Sequence, residues 1–142
     1  PDNCRITVVM GATAPWVERV QQQAVLMPWP TEVKVGVNNM AELMANSDLA
    51  IGAAGATSWE RCCLGLPTIM VVLAENQKLI AHGLQTVGAA LCIETQQVKG
   101  NGLVAHVSAL NNSSGKIKAM SNSAAAVIDG KGVEFVLQQM EL

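Results

Sequence analysis

From Gly52 to Ser58 the chain reads Gly-Ala-Ala-Gly-Ala-Thr-Ser, with Glu60 close behind and Gly65-Leu66-Pro67 closing the stretch. Small side chains let an anion come close to a backbone. Free N–H groups and the dipole at the start of a helix attract that anion. Thr57 and Ser58 can add hydroxyl donors. Gly52, Gly55, Ala56, Thr57, Ser58 and Glu60 are therefore candidates for holding a phosphorylated ligand. The same residues also suit a plain tight turn. Thr57 as N-cap with Glu60 three residues on is a capping box, which needs no ligand. Glu60 has the same two readings: it caps its own helix, or its carboxylate accepts hydrogen bonds from two ribose hydroxyls. Trp59 suits a core or interface anchor, with base stacking as the alternative. No Gly-Lys-Ser/Thr follows, so the stretch is not a P-loop, and it is not a Gly-x-Gly-x-x-Gly fingerprint either.

Other chemistries have little to work with. His82 and His106 stand far apart, without a Cys or carboxylate at ligand spacing, so no metal site is expected, and both read as surface or packing residues. Cys4, Cys62, Cys63 and Cys92 show no Cys-x-x-Cys spacing. They read as reduced, mostly buried small hydrophobes, which points to the cytoplasm. The net charge is −2 and no long basic run occurs, which disfavours nucleic-acid binding. No apolar stretch reaches the ~18 residues of a membrane span, and no signal peptide is visible. Half of the 142 residues are hydrophobic and 14% are charged, as in one folded domain, and a single domain over 1–142 is expected.

The elements that must position the candidates alternate strand and helix. Arg5 to Met10 is an apolar, β-branched strand, and Pro15 suits the first turn of a helix reaching Val25, with Trp16, Val20 and Ala24 inward. Glu32 to Val37 alternates as a half-exposed strand, and Asn39 caps a short helix with Met40, Leu43 and Met44 on its apolar stripe. Asp48 to Gly52, Thr68 to Leu73 and Ala90 to Ile93 are apolar strands. The helix Ser58 to Leu64 follows the first of these, and one with Leu79, Ile80, Gly83, Leu84 and Val87 on one side follows the second. From Gln97 the pattern is helical, broken by a turn at Asp129 to Gly132, with Val133, Val136, Leu137 and Met140 on a closing helix. Such alternation predicts a doubly wound α/β fold: a parallel sheet of about five strands with right-handed crossovers. Ligands of such sheets sit at the carboxyl ends of the strands. The loops after Met10, Val37, Gly52 and Leu73 are the places to look.

The run from Met40 to Gln77, MAELMANSDLAIGAAGATSWERCCLGLPTIMVVLAENQ, closely resembles the C-terminal domain of the UDP-sugar hydrolases of pseudaminic-acid biosynthesis. These belong to a wider GT-B group with the spore-coat polysaccharide proteins and the N-acetylglucosaminyltransferase that completes lipid II. The tail SNSAAAVIDGKGVEFVLQQM resembles the ending of the same hydrolases. The resemblance implies half of a GT-B fold and a UDP or UDP-sugar ligand. It implies that Gly52 to Ser58 bind the pyrophosphate and that Glu60 holds the ribose. The loop at Val37 would contact uracil through its backbone, and Glu75, Asn76 and Gln77 would face the sugar or the diphosphate. No cofactor is implied. Where the family shows Gly-Gly-Ser/Thr this chain has Ala54-Gly55-Ala56, so Ala54 would narrow the approach to the backbone and Ala56 lacks a hydroxyl.

Gly11-Ala12-Thr13-Ala14-Pro15 aligns better with the family's second strand and helix than with its first phosphate loop, Gly-Gly-Ser-Asp-Pro. On that alignment the first strand, its loop and the whole N-terminal domain with its catalytic His are missing, and no residue of this chain takes a catalytic role. If the gap left by the missing strand closes, the strand order becomes the flavodoxin-like 2-1-3-4-5. A dimer covering exposed apolar surface is expected. Three readings follow: a UDP-binding half that is inactive alone, a repurposed dimeric interaction module without nucleotide, and one part of a split enzyme whose catalytic domain is a separate chain.

Overall fold

Thr68–Val72 is apolar at every position but its first, and both of its faces are covered. In the computed structural model, which describes residues 3–140, it is the middle strand of a three-stranded parallel sheet. The elements run β1 (Ile6–Met10), α1 (Val17–Val25), β2 (Thr31–Val35), α2 (Met40–Ala45), β3 (Ala50–Ala53), α3 (Thr57–Cys63) and β4 (Thr68–Val72). A 3₁₀ turn (Glu75–Gln77) leads into α4 (Lys78–Thr86) and β5 (Ala90–Glu94), and four helices follow: α5 (Thr95–Val98), α6 (Gly102–Asn111), α7 (Ser114–Ala125) and α8 (Gly132–Met140). The expected α/β class and its parallel strands are present.

Contacts gather the chain into two compact units, one up to Met40 and one from Ala41 on. In the first, β1 and β2 pair in parallel from Ile6 opposite Thr31 to Met10 opposite Val35, and α1 packs on β2. In the second, the order is β3-β4-β5, with Ala50 opposite Thr68 and Thr68 opposite Ala90. These neighbours are those of the order 2-1-3-4-5, but the ladders form two sheets where one was expected.

The alternation along β4 divides the core of the second unit. Ile69 packs with Ile93, Leu110 and Met120 on one face. Met70 and Val72 pack with Ala54, Cys62, Ala81, Leu84 and Ala124 on the other. Fully burying a side chain such as Ile69 stabilises the fold by about 1.5–3 kcal/mol. All four cysteines are free, as expected; Cys62 is buried, but Cys63 is exposed. Burial raises the pKa of the Cys62 thiol above its ordinary value.

Two apolar faces differ from expectation. In α4, Ile80, Ala81 and Leu84 face the core, whereas Leu79 is 85% and Val87 54% exposed. Each residue turns about 100° around a helix, so the line 79–83–87 lies beside the buried line rather than on it. Trp16 precedes α1 as its N-cap and is exposed, while Val20 and Ala24 are half-buried. Val133, Val136, Leu137 and Met140 lie on the closing helix α8, as expected, and all four are exposed. Periodicity fixes which side of a helix is apolar, not whether anything covers it.

Leu84→Ala is expected to destabilise the chain by about 2–5 kcal/mol, and Leu79→Ala by less than about 0.5 kcal/mol, as read from urea unfolding midpoints. Equal losses would place Leu79 in the core.

Candidate functional site

The carboxyl ends of β3, β4 and β5 share one edge of the parallel sheet, because all three strands run the same way. The last rung of the β3–β4 ladder is the Ala54 N–H donating to the Val71 carbonyl at 3.3 Å. The chain then leaves the sheet. The N–H groups of Gly55, Ala56 and Thr57 have no backbone acceptor among the described residues. A Cβ at Gly55 would meet nothing within 4 Å, so one side of this loop is open. The Ala54 methyl is fully buried in the core, so it does not stand in the approach to that open side.

The helix after the loop starts differently from the expected capping box. α3 begins at Thr57, and its N-cap is Ala56 with φ −58° and ψ −33°. That backbone is already helical, whereas a side-chain cap needs an extended N-cap residue. The Ser58 N–H donates to Gly55 O and the Trp59 N–H to Ala56 O, so a tight first turn replaces the box. Glu60 is exposed and does not cap the helix. A capping box does form elsewhere, at α5, where Gln97 Oε1 accepts from the Glu94 N–H at 2.8 Å.

The other end of α3 closes as the sequence predicts. Gly65 has φ +62°, a left-handed conformation that a Cβ disfavours. Its N–H donates to Cys62 O and the Leu66 N–H to Arg61 O, both at 2.9 Å, and Pro67 follows.

Arg61, which the sequence reading passed over, is buried against the loop. Its Nη2 donates to Ala53 O at 2.6 Å and to Thr57 Oγ1 and Ser58 Oγ at 3.3 Å, and its Nε donates to Thr57 O at 3.2 Å. Thr57 is exposed, but Ser58 is fully buried with its hydroxyl turned to Arg61. Desolvation pulls the Arg61 pKa below its ordinary value, partly offset by attraction to Cys62 and Glu60. Arginine still keeps its charge at neutral pH. Trp59 is partly exposed and lines an open apolar groove of about 520 Å³ with Leu79, Val87 and Val127.

Beside this loop in sheet order, the ends of β4 and β5 line an open cleft of about 340 Å³. Glu75 belongs to it, with Lys78, Glu94 and Thr95, none of which the sequence singled out. Lys78 Nζ lies 2.7 Å from Glu75 Oε2, and the Thr95 hydroxyl donates to Val72 O at 2.9 Å. The Gln77 side chain is occupied, since its Oε1 accepts from the Leu73 N–H at 3.0 Å. Asn76 is exposed. Val37 lies in the first unit, two residues beyond the end of β2. Lysine at the first turn of α4 had no periodic or spacing signal; only the meeting of β4 and β5 brings it to the cleft.

Residues 5–135 match the glycosyltransferase family 28 C-terminal domain. The chain belongs to this family. The spore coat polysaccharide biosynthesis protein SpsG of Bacillus subtilis is 29% identical over 126 residues, 88% of this chain and 37% of that protein. The UDP-N-acetylglucosamine–N-acetylmuramyl-(pentapeptide) pyrophosphoryl-undecaprenol N-acetylglucosamine transferase of Desulforudis audaxviator is 33% identical over 109 residues, 73% of this chain and 29% of that one. The domain thus spans about a third of these relatives. Among solved structures, Acinetobacter baumannii MurG superposes on 96% of the chain and 41% of its own with a TM-score of 0.76 at 19% identity. The spinosyn rhamnosyltransferase SpnG complexed with thymidine diphosphate superposes on 96% of the chain and 46% of its own, with a TM-score of 0.62 at 15% identity. At such identities the likeness is one of fold, and it bears out the expected GT-B half. No helix among the described residues is long and apolar enough to cross a membrane.

Two outcomes follow from this geometry. Glu60→Gln is expected to change stability by less than about 1 kcal/mol, since no cap is lost and only a dipole contribution and a solvent-screened attraction to Arg61 are at stake, as urea unfolding would show. The hydrogen bond that Lys78 donates to Glu75, with the charge of that carboxylate, raises the Lys78 pKa. A raised pKa in the folded state stabilises it below the unfolded value, near ~10.4, and that contribution fades as pH rises through the folded value. Glu75→Gln is expected to lower the Lys78 pKa, which side-chain NMR titration between pH ~9 and ~12 would record.

Proposed function

We propose that this family 28 domain is the UDP- or UDP-sugar-binding half of a nucleotide-sugar hydrolase or glycosyltransferase. The observation that carries the reading is the row of unpaired N–H groups from Gly55 to Thr57 beside an open glycine face, at the carboxyl edge of a family 28 sheet. Oriented backbone N–H groups suit a diphosphate, whose oxygens accept without needing a side chain. The exposed Thr57 hydroxyl can add a donor, whereas Ser58 contributes through its place in the turn. Gly52 leads into the loop, and Ala56 offers its N–H in place of the hydroxyl it lacks. Glu60, exposed and uninvolved in capping, is free to accept hydrogen bonds from ribose hydroxyls.

The sugar side of the ligand falls to Glu75 and Asn76, with Gln77 shaping the turn. The loop at Val37 is assigned to uracil on the family resemblance alone. A relative named for UDP-N-acetylglucosamine and a fold neighbour complexed with thymidine diphosphate agree with a nucleoside diphosphate as the ligand class. In the parent reaction a nucleophile attacks the anomeric carbon and the nucleoside diphosphate leaves. This half anchors the leaving group, and a separate domain activates the nucleophile, so the 142-residue chain alone turns over no UDP-sugar.

Titrating UDP into the purified chain, with uridine as control, tests the reading. Amide shifts at Gly55 to Glu60 that are larger for UDP than for uridine are expected. Their absence at millimolar UDP would favour the alternative of an interaction module, for which the exposed apolar surfaces of Trp59 and α8 speak.

A further inference from the structure

Arg61 makes four hydrogen bonds, all to neutral oxygens, and they span the loop. One acceptor, Ala53 O, precedes the loop; the others belong to Thr57 and Ser58, which follow it. A single guanidinium thus ties the two ends of residues 53–58 together. The ion pairs among the described residues, Lys34–Glu32 and Lys78–Glu75, do not involve it. A cation buried to 6% exposure without a carboxylate partner is costly, so its retention calls for a physical reason.

Gly52 supplies a second constraint. A Cβ there would lie 2.7 Å from Arg61 Nη1. The guanidinium occupies the space that the missing side chain leaves, and its Nε and Nη2 are fixed by the loop and the strand before it. This gives Gly52 a reason that has nothing to do with touching a ligand.

We propose that Arg61 is the positioning residue of the diphosphate loop: its guanidinium holds Ala53 against Thr57 and Ser58, so that the N–H groups between them stay unpaired and in place before ligand arrives. The proposal rests on the nucleotide-binding reading above and adds the device that sets the loop. Nη2 reaches Ala53 O on one side of the loop and the Thr57 and Ser58 hydroxyls on the other, and the planar fork adds the Nε bond to Thr57 O that fixes its orientation and that a single ammonium nitrogen lacks. The positive charge left without a carboxylate also favours an anion nearby. Misplacing aligned donors by a fraction of an ångström to an ångström weakens such recognition severely.

The test compares UDP with uridine on the full chain, before and after substitution. Arg61→Met and Arg61→Lys are expected to weaken UDP binding at least about tenfold while uridine binding stays within about twofold, with the unliganded amide shifts of Gly55 to Thr57 displaced in both variants. A purely structural role would lower thermal stability and leave the ratio of UDP to uridine affinity unchanged. That result in folded variants overturns the proposal, as does full rescue by lysine of both the ratio and the amide shifts. If Arg61→Met fails to fold, Gly52→Ala decides, since it keeps the charge while its Cβ pushes Nη1, and with it the rigid plane that carries Nη2, away from Ala53. It is expected to lower the UDP to uridine ratio, and an unchanged ratio overturns the proposal. Absence of UDP binding by the unsubstituted chain is a separate outcome, which removes the nucleotide-binding reading and this one with it.

Discussion

The second unit depends on the burial of both faces of β4. A parallel strand covered on both sides cannot be joined to its neighbours by hairpins, so each connection must cross over one face. Ile69 and Met70 point to opposite cores, and helices on each side fill them. Every strand then ends on the same edge, and every strand-to-helix turn is held there. The loop after β3, the 3₁₀ turn after β4 and the short helix after β5 gather for this reason, not because their sequences share a motif.

Within that frame, local chemistry decides what each turn offers. After β5, Glu94 and Gln97 satisfy the helix start reciprocally. After β4, Gln77 closes the turn on the Leu73 N–H. After β3 no side chain caps the helix, and N–H groups stay unpaired while Arg61 takes up the carbonyl and hydroxyl oxygens around them. Donors are left exposed and acceptors are consumed, which biases the loop toward an anion. Membership of the glycosyltransferase family 28 C-terminal domains gives that bias a chemical context.

Much of this was legible in the residues. The β-branched runs gave five strands to within two residues, and Gly65 with Pro67 marked the end of α3 correctly. The resemblance carried by Met40 to Gln77 led to the family. The box at Thr57 and Glu60 misled because the pattern needs an extended N-cap, and the backbone at Ala56 is already helical. Leu79 misled because neighbouring apolar positions on α4 compete for one inward line, and the sheet selected Ile80, Ala81 and Leu84.

The sequence alone determined the α/β alternation, the position of the small-residue loop and the family, because periodicity, turn residues and motif are local properties of the chain. The tertiary structure decided the division into two sheets, the exposure of the α8 stripe and the roles within the loop. It turned Ser58 inward, left Thr57 and Glu60 at the surface and brought Lys78 to the β4–β5 cleft. It also bent Arg61 back onto Ala53, eight residues earlier. The spacing of the sequence carries no sign of that contact, because it exists only once β3 and α3 are laid side by side.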